Sequence, residues 1–110
     1  MIEKRSAVER LEEILSVGGV DMVQFGPSDY SINIGRVGQE DHPEVKAAER
    51  RTIETALKMG VAPRAEINDY SEAAAYVEMG VKHFCIGWDV VVLHEWCKEQ
   101  GAAMAKAVGR

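Results

Sequence analysis

The stretches "GVDMVQFG" at residues 19–26 and "GVKHFCIG" at residues 80–87 decide how this 110-residue chain is read. Each pairs Gly-Val with a short apolar run, closes on a glycine, and is followed within three residues by an acid, Asp29 or Asp89. Apolar runs of this length bounded by glycines read as buried strands. The two lie 61 residues apart, the span of two strand–helix units of roughly 30 residues each. Repetition at that period is what a parallel β/α barrel produces, and a full barrel of eight units takes about 250 residues. This chain has room for four, or half a barrel.

The segments between fill in the alternation. "MIEK" at 1–4 reads as the end of a strand. "SAVERLEEILSVGG" at 6–19 reads as one helix, with Ser6 and Glu9 as a capping box, Val8, Leu11 and Leu15 on one stripe, and Gly18-Gly19 as the stop. A polar, glycine-dotted loop is expected from Gly26 to about Gln39. The clearest helix lies at 41–60, with Asp41 as its cap, Pro43 in the first turn and Gly60 beyond the end; Val45, Ile53, Ala56 and Leu57 share a face. "VAPRAEI" at 61–67 is a weaker strand, because Pro63 cannot donate to a ladder. Asp69 or Ser71 caps a helix that ends at Gly80, and a long helix, capped by Asp89 and weakened near Gly101, closes the chain. The order is β-α four times. The fold class is therefore α/β, with four parallel βα units and right-handed crossovers, in a single domain over 1–110 without an internal linker.

Bulk properties narrow the function. The chain is 46% hydrophobic and 28% charged, with a formal net charge of -5. Its basic residues are scattered and outnumbered, so no nucleic-acid footprint is expected. No apolar stretch approaches the length of a membrane span, and no signal peptide is visible, which makes a cytoplasmic protein the expectation. Cys85 and Cys97 are not a C-x-x-C pair and have no histidine at zinc-ligand spacing; Cys85, in an apolar run, reads as a buried thiol.

Chemistry in parallel α/β folds gathers at the carboxyl ends of strands. Two acids stand there on neighbouring strands: Glu3 after the first and Asp29 just past the second. Neighbouring strands lie about 4.8 Å apart, close enough for two carboxylates to converge on one ion. With no His or Cys beside them, the donor set suits a hard cation, Mg²⁺ or Mn²⁺ rather than Zn²⁺. In "GPSD", Gly26 permits close backbone approach, and the N–H groups of Ser28 and Asp29 can form a nest for a carboxylate. Spacing alone favours plainer roles: an acid after a Gly-Pro turn is more often a turn former, and a lone terminal Glu is more often solvated. His42, His83 and His94 read as structural, and "HEWC" at 94–97 is not a zinc motif. Trp88 is an aromatic placed to wall a pocket at the mouth.

The stretches "MIEKRSAVERLEEIL" (1–15) and "GVDMVQFGPSDYS" (19–31), with "HPEV" (42–45) and "FCIGWD" (84–89), resemble the HpcH/HpaI aldolase family of 2-keto-3-deoxy acid aldolases. The resemblance implies the C-terminal half of a (β/α)8 TIM barrel, and hence a fragment or a separately made half. It implies a class II, metal-dependent aldolase that cleaves 4-hydroxy-2-oxo acids to pyruvate and an aldehyde. Glu3 and Asp29 would hold Mg²⁺ or Mn²⁺, and backbone groups of Gly26, Ser28 and Asp29 would contact the pyruvate carboxylate. The family's acid–base His and its Arg lie in the other half of the barrel and have no counterpart here. Trp88 stands where many members carry a small or aliphatic residue, on the aldehyde side. Family members assemble as oligomers with the last helix against a neighbour, so a homo-oligomer is expected. The alternative is a non-catalytic half-barrel that binds metal or a 2-oxo acid without turnover.

Overall fold

The computed structural model describes residues Met1–Arg110. Three parallel strands form one sheet in the order β1 (Met22–Gln24), β2 (Ala62–Ile67), β3 (His83–Ile86). The first expected strand is reduced to a single parallel bridge, Ile2 to Phe25, held by Ile2 N–H to Gln24 O at 2.8 Å and Gly26 N–H to Ile2 O at 2.9 Å. The repeat seen in the sequence is real in space: β1 and β3 flank β2 on either side.

β2, expected to be the weaker strand, is the central one. Pro63 is tolerated because it opposes Val23 of β1 but lies ahead of Arg64, where pairing to β3 begins. The missing donor thus falls where the strand has one partner rather than two. Pro63, Ala65 and Ile67 turn to the helix side and are buried, while Arg64 and Glu66 face the other way.

Helix α4 (Pro43–Lys58) covers that side. Val45, Ala48, Glu49, Thr52, Ile53 and Ala56 are buried at three- and four-residue spacing, which is the apolar stripe of an amphipathic helix. Leu57 is only partly covered. The cap is His42, whose Nδ1 accepts from Glu44 N–H at 3.2 Å, and not Asp41. Two clusters make the core. The larger joins Ile2, Val8, Leu11, Leu15, Val23 and Phe25 to Val45, Ala48 and Ala56 of α4; the smaller joins Ile53, Ala65 and Val81, with Tyr76 and Phe84 packed against it.

Other boundaries differ from the sequence reading for identifiable reasons. The helix expected over 6–17 is two segments, α1 (Arg5–Glu9) and α2 (Leu11–Ser16), and the Ser6–Glu9 box does not form, since Lys4 occupies the cap position. The expected loop from Gly26 contains a helix, α3 (Pro27–Asn33), with Pro27 in its first turn, where a missing N–H costs nothing. Tyr30 of α3 is buried against Phe25 with ring centroids 5.0 Å apart, which anchors the helix to β1. Asp69 caps a short 3-10 turn (Tyr70–Glu72) with a complete capping box, ahead of α5 (Ala73–Glu78). Helix α6 (Asp89–Ala107) runs unbroken through Gly101, and Trp88 rather than Asp89 is its cap. Cys85 is half-buried, not fully buried. No α6 residue is buried, and the molecule extends 62 Å along its longest axis. No helix is long and apolar enough to cross a membrane.

Two expectations follow. Ile67→Ala, which empties a site only 2% exposed, should cost about 2–4 kcal/mol in urea unfolding at fixed protein concentration, whereas Ile32→Ala on the exposed side of α3 should change stability by less than about 0.5 kcal/mol. Burial, then the neighbouring Glu49 carboxylate that accepts its hydroxyl at 3.0 Å, raise the Tyr76 pKa far above its ordinary value. Above about pH 10 the unfolded chain ionises this tyrosine while the folded chain does not, so the folded state binds more protons and stability falls as pH rises. Tyr30, raised first by its own burial, acts with the same sign. Tyr76→Phe should flatten this alkaline decline in denaturation curves taken between pH 8 and 11.

Candidate functional site

The Ile2–Phe25 bridge sets the geometry at the carboxyl end of the sheet. It carries Glu3 past the end of β1 and lays its side chain over Gly26. A Cβ on Gly26 would sit 2.8 Å from Glu3 Cγ and 3.2 Å from its Oε1. Gly26 itself has φ -108° and ψ 95°, a conformation open to any residue. The glycine thus accommodates the approach of the Glu3 side chain, with Met1 Cε close behind, and answers to no backbone strain.

Immediately beyond, α3 begins. Its first intrahelical bond is Tyr30 N–H to Gly26 O at 3.0 Å, so the N–H groups of Ser28 and Asp29 precede the hydrogen-bonded ladder. Asp29 is exposed in the first turn. Glu3 and Asp29 therefore flank the same Gly-Pro step, one above its backbone and one at the head of the helix it opens. The structure gathers no cluster of three or more His, Cys, Asp or Glu side chains suited to a metal. The donor set at this step is two carboxylates, and Mg²⁺ sites are commonly completed by substrate oxygens and water around one or two carboxylates.

Ser28 and Trp88 come together in a different place. Both line a cleft of about 290 Å³ between the ends of β2 and β3, the N-terminal turns of α4 and the α5 region, with Glu40, Glu66 and Tyr76 among its walls. Glu3, Gly26 and Asp29 are not part of that lining. The Ser28 hydroxyl is 3.2 Å from Glu40 Oε1, which leaves its backbone N–H as the group free for a ligand. Trp88 is half exposed and also borders an apolar depression made with Ile86, Val92, Leu93 and Trp96.

One set of residues was not singled out from the sequence. On the face of the sheet away from the helices, Arg64 Nε donates to Gln24 Oε1, Gln24 Nε2 donates to Glu66 Oε2 at 2.8 Å, and Trp88 Nε1 donates to Glu66 Oε1 at 2.8 Å. The signal available was the alternation of Arg64 and Glu66 with apolar residues in "APRAEI", which puts both charges on one face. His83 and His94 are exposed and His42 serves as a cap.

The sequence matches the family described as HpcH/HpaI aldolase/citrate lyase over residues 1–95. A 4-hydroxy-2-oxo-heptane-1,7-dioate aldolase from Escherichia coli is 39% identical over 92 residues, and its counterpart in Klebsiella pneumoniae is 38% identical. The match covers 84% of this chain but 35% of each relative, so the chain spans about a third of their length. Among solved structures, an HpcH/HpaI aldolase from Desulfitobacterium hafniense superposes with a TM-score of 0.86 at 31% identity, covering 94% of this chain and 40% of that one. The citrate synthase SbnG superposes over the whole chain and 45% of its own, with a TM-score of 0.93 at 23% identity, a likeness of fold alone.

Proposed function

The chain belongs to the HpcH/HpaI aldolase/citrate lyase family, and from that premise we propose that it carries the cation and oxo-acid side of a class II aldolase. The reaction would be the reversible cleavage of a 4-hydroxy-2-oxo acid to pyruvate and an aldehyde. The observation that carries this reading is the Glu3 side chain packed on Gly26, at the step that opens the helix bearing Asp29. Glu3 Oε1 lies 3.2 Å from where a Cβ on Gly26 would sit, and with Asp29 in the first turn of the helix that follows the two hard oxygen donors suit a divalent cation.

In this reading Glu3 and Asp29 hold Mg²⁺ or Mn²⁺. When bound, the cation would act as a Lewis acid toward the keto oxygen of the oxo acid. The other roles fall to the chain itself. The N–H groups of Ser28 and Asp29 donate to the substrate carboxylate, aided by the positive end of the short α3 dipole. Gly26 keeps the approach to that carboxylate open. Trp88 forms the wall on the aldehyde side, through the cleft it shares with Ser28.

Association of copies belongs to the same reading. Val90, Leu93, Trp96 and Met104 of α6 are each more than 60% exposed, and β3 is an edge strand. A second copy of this chain is the occupant that would cover them.

The decisive experiment follows deuterium exchange at the pyruvate methyl group by NMR, with Mg²⁺ or Mn²⁺ present. Metal-dependent exchange is expected, falling at least about tenfold in Glu3→Ala and Asp29→Ala. Gly26→Ala should do the same with the backbone unchanged, because its new methyl must displace Glu3. Wild-type exchange indifferent to all three variants would overturn the site. No metal-dependent exchange at all would overturn turnover by this chain and leave the non-catalytic half-barrel as the reading. Light scattering should give a mass of two or more chains; a monomer across the micromolar range would remove the association.

A further inference from the structure

The indole of Trp88 has little to hold it. It precedes α6, a helix that buries none of its residues, and follows Gly87, whose φ of +66° makes a sharp turn. A half-exposed indole in such a place would sample several rotamers. Its one polar tie is the N–H to Glu66 Oε1 at 2.8 Å, and Glu66 stands on the central strand β2.

Glu66 is held in turn. Its second oxygen accepts from Gln24 Nε2 at 2.8 Å, and Gln24 is only 6% exposed. The Gln24 amide can point one way only, because its oxygen takes the Arg64 Nε–H, a group that cannot accept. Arg64 therefore orients Gln24, Gln24 orients Glu66, and Glu66 orients Trp88. Each oxygen of Glu66 already receives an N–H, an arrangement suited to holding neighbours in place. The cleft that this indole borders also contains Ser28.

We propose that Glu66 is a positioning residue, which fixes the Trp88 indole at the mouth and so limits the size of aldehyde that the site accepts. The fixed indole is a claim about this fold; its consequence for the aldehyde rests on the aldolase reading. A wall held in one rotamer rejects bulky partners, while a free one swings aside.

The test begins with ¹⁵N-labelled indole NMR of the full chain carrying Trp96→Phe, which leaves Trp88 as the single reporter. The wild-type Glu66 protein should give one downfield indole N–H resonance, protected from solvent exchange. Glu66→Ala should move it upfield and speed its exchange, and Glu66→Gln, which keeps one carbonyl acceptor and the side-chain shape, should fall between. The remainder of the spectrum reports whether each variant is folded. In turnover, the ratio of kcat/KM for a small aldehyde over a bulky one should drop about tenfold in Glu66→Ala, as in Trp88→Ala, with no further drop when the two are combined. An indole resonance that Glu66→Ala leaves in place overturns the positioning role. An unchanged aldehyde ratio in a protein that turns over overturns its link to selectivity. If no aldehyde is consumed by any variant, turnover by this chain is overturned and the link to selectivity with it, and the indole resonance still decides whether Glu66 positions Trp88.

Discussion

Strict alternation of side chains along β2 is the constraint on which the rest of this structure depends. Helices cover one face of the sheet only, so Pro63, Ala65 and Ile67 must be apolar or compact and the residues between them must live on an open face. Arg64 and Glu66 satisfy that second demand, and they do it by pairing sideways with Gln24 and Trp88. The same two-residue period thus builds the core on one side and a polar relay on the other. A register slip of one residue would bury two charges and expose Ile67 together.

Much of the architecture could be read from the chain because its signals were redundant. The paired "GVDMVQFG" and "GVKHFCIG" segments, the buried stripe of α4 and the glycines after each helix all point to repeated βα units. What escaped was local and depended on tertiary context. Pro27 reads as a turn residue, yet it starts α3, because Tyr30 gains a buried place against Phe25 that the propensities of Ser-Asp-Tyr-Ser do not reveal. Ser6 and Glu9 had the spacing of a capping box, but the cap falls at Lys4 and the helix breaks at Arg10, whose guanidinium turns to Glu13 at 2.6 Å. Asp41 and Asp89 each lost the cap position to a neighbour, which is the usual one-residue uncertainty at helix ends.

The candidate site divides along the same line. Glu3, Gly26 and Asp29 could be found because they lie close to strand ends, and strand ends are legible. The closeness of Glu3 to Gly26 explains the glycine better than any turn type would. Ser28 and Trp88 were legible as residues but not as a pair: the cleft they share depends on how the ends of β2 and β3 meet α4. The Arg64–Gln24–Glu66–Trp88 relay was invisible because it needs the register of Gln24 against Arg64, which the sequence does not state.

The outlying position of α6 changes how this molecule moves through water. A compact chain of this length has a radius of gyration of about 13 Å, whereas this one reaches 17.7 Å. A 19-residue rod projecting from a small body adds friction without adding mass. Such a particle tumbles slowly about its short axes and faster about its long one. For a single chain, elution volume and relaxation times would therefore report length as much as molecular weight.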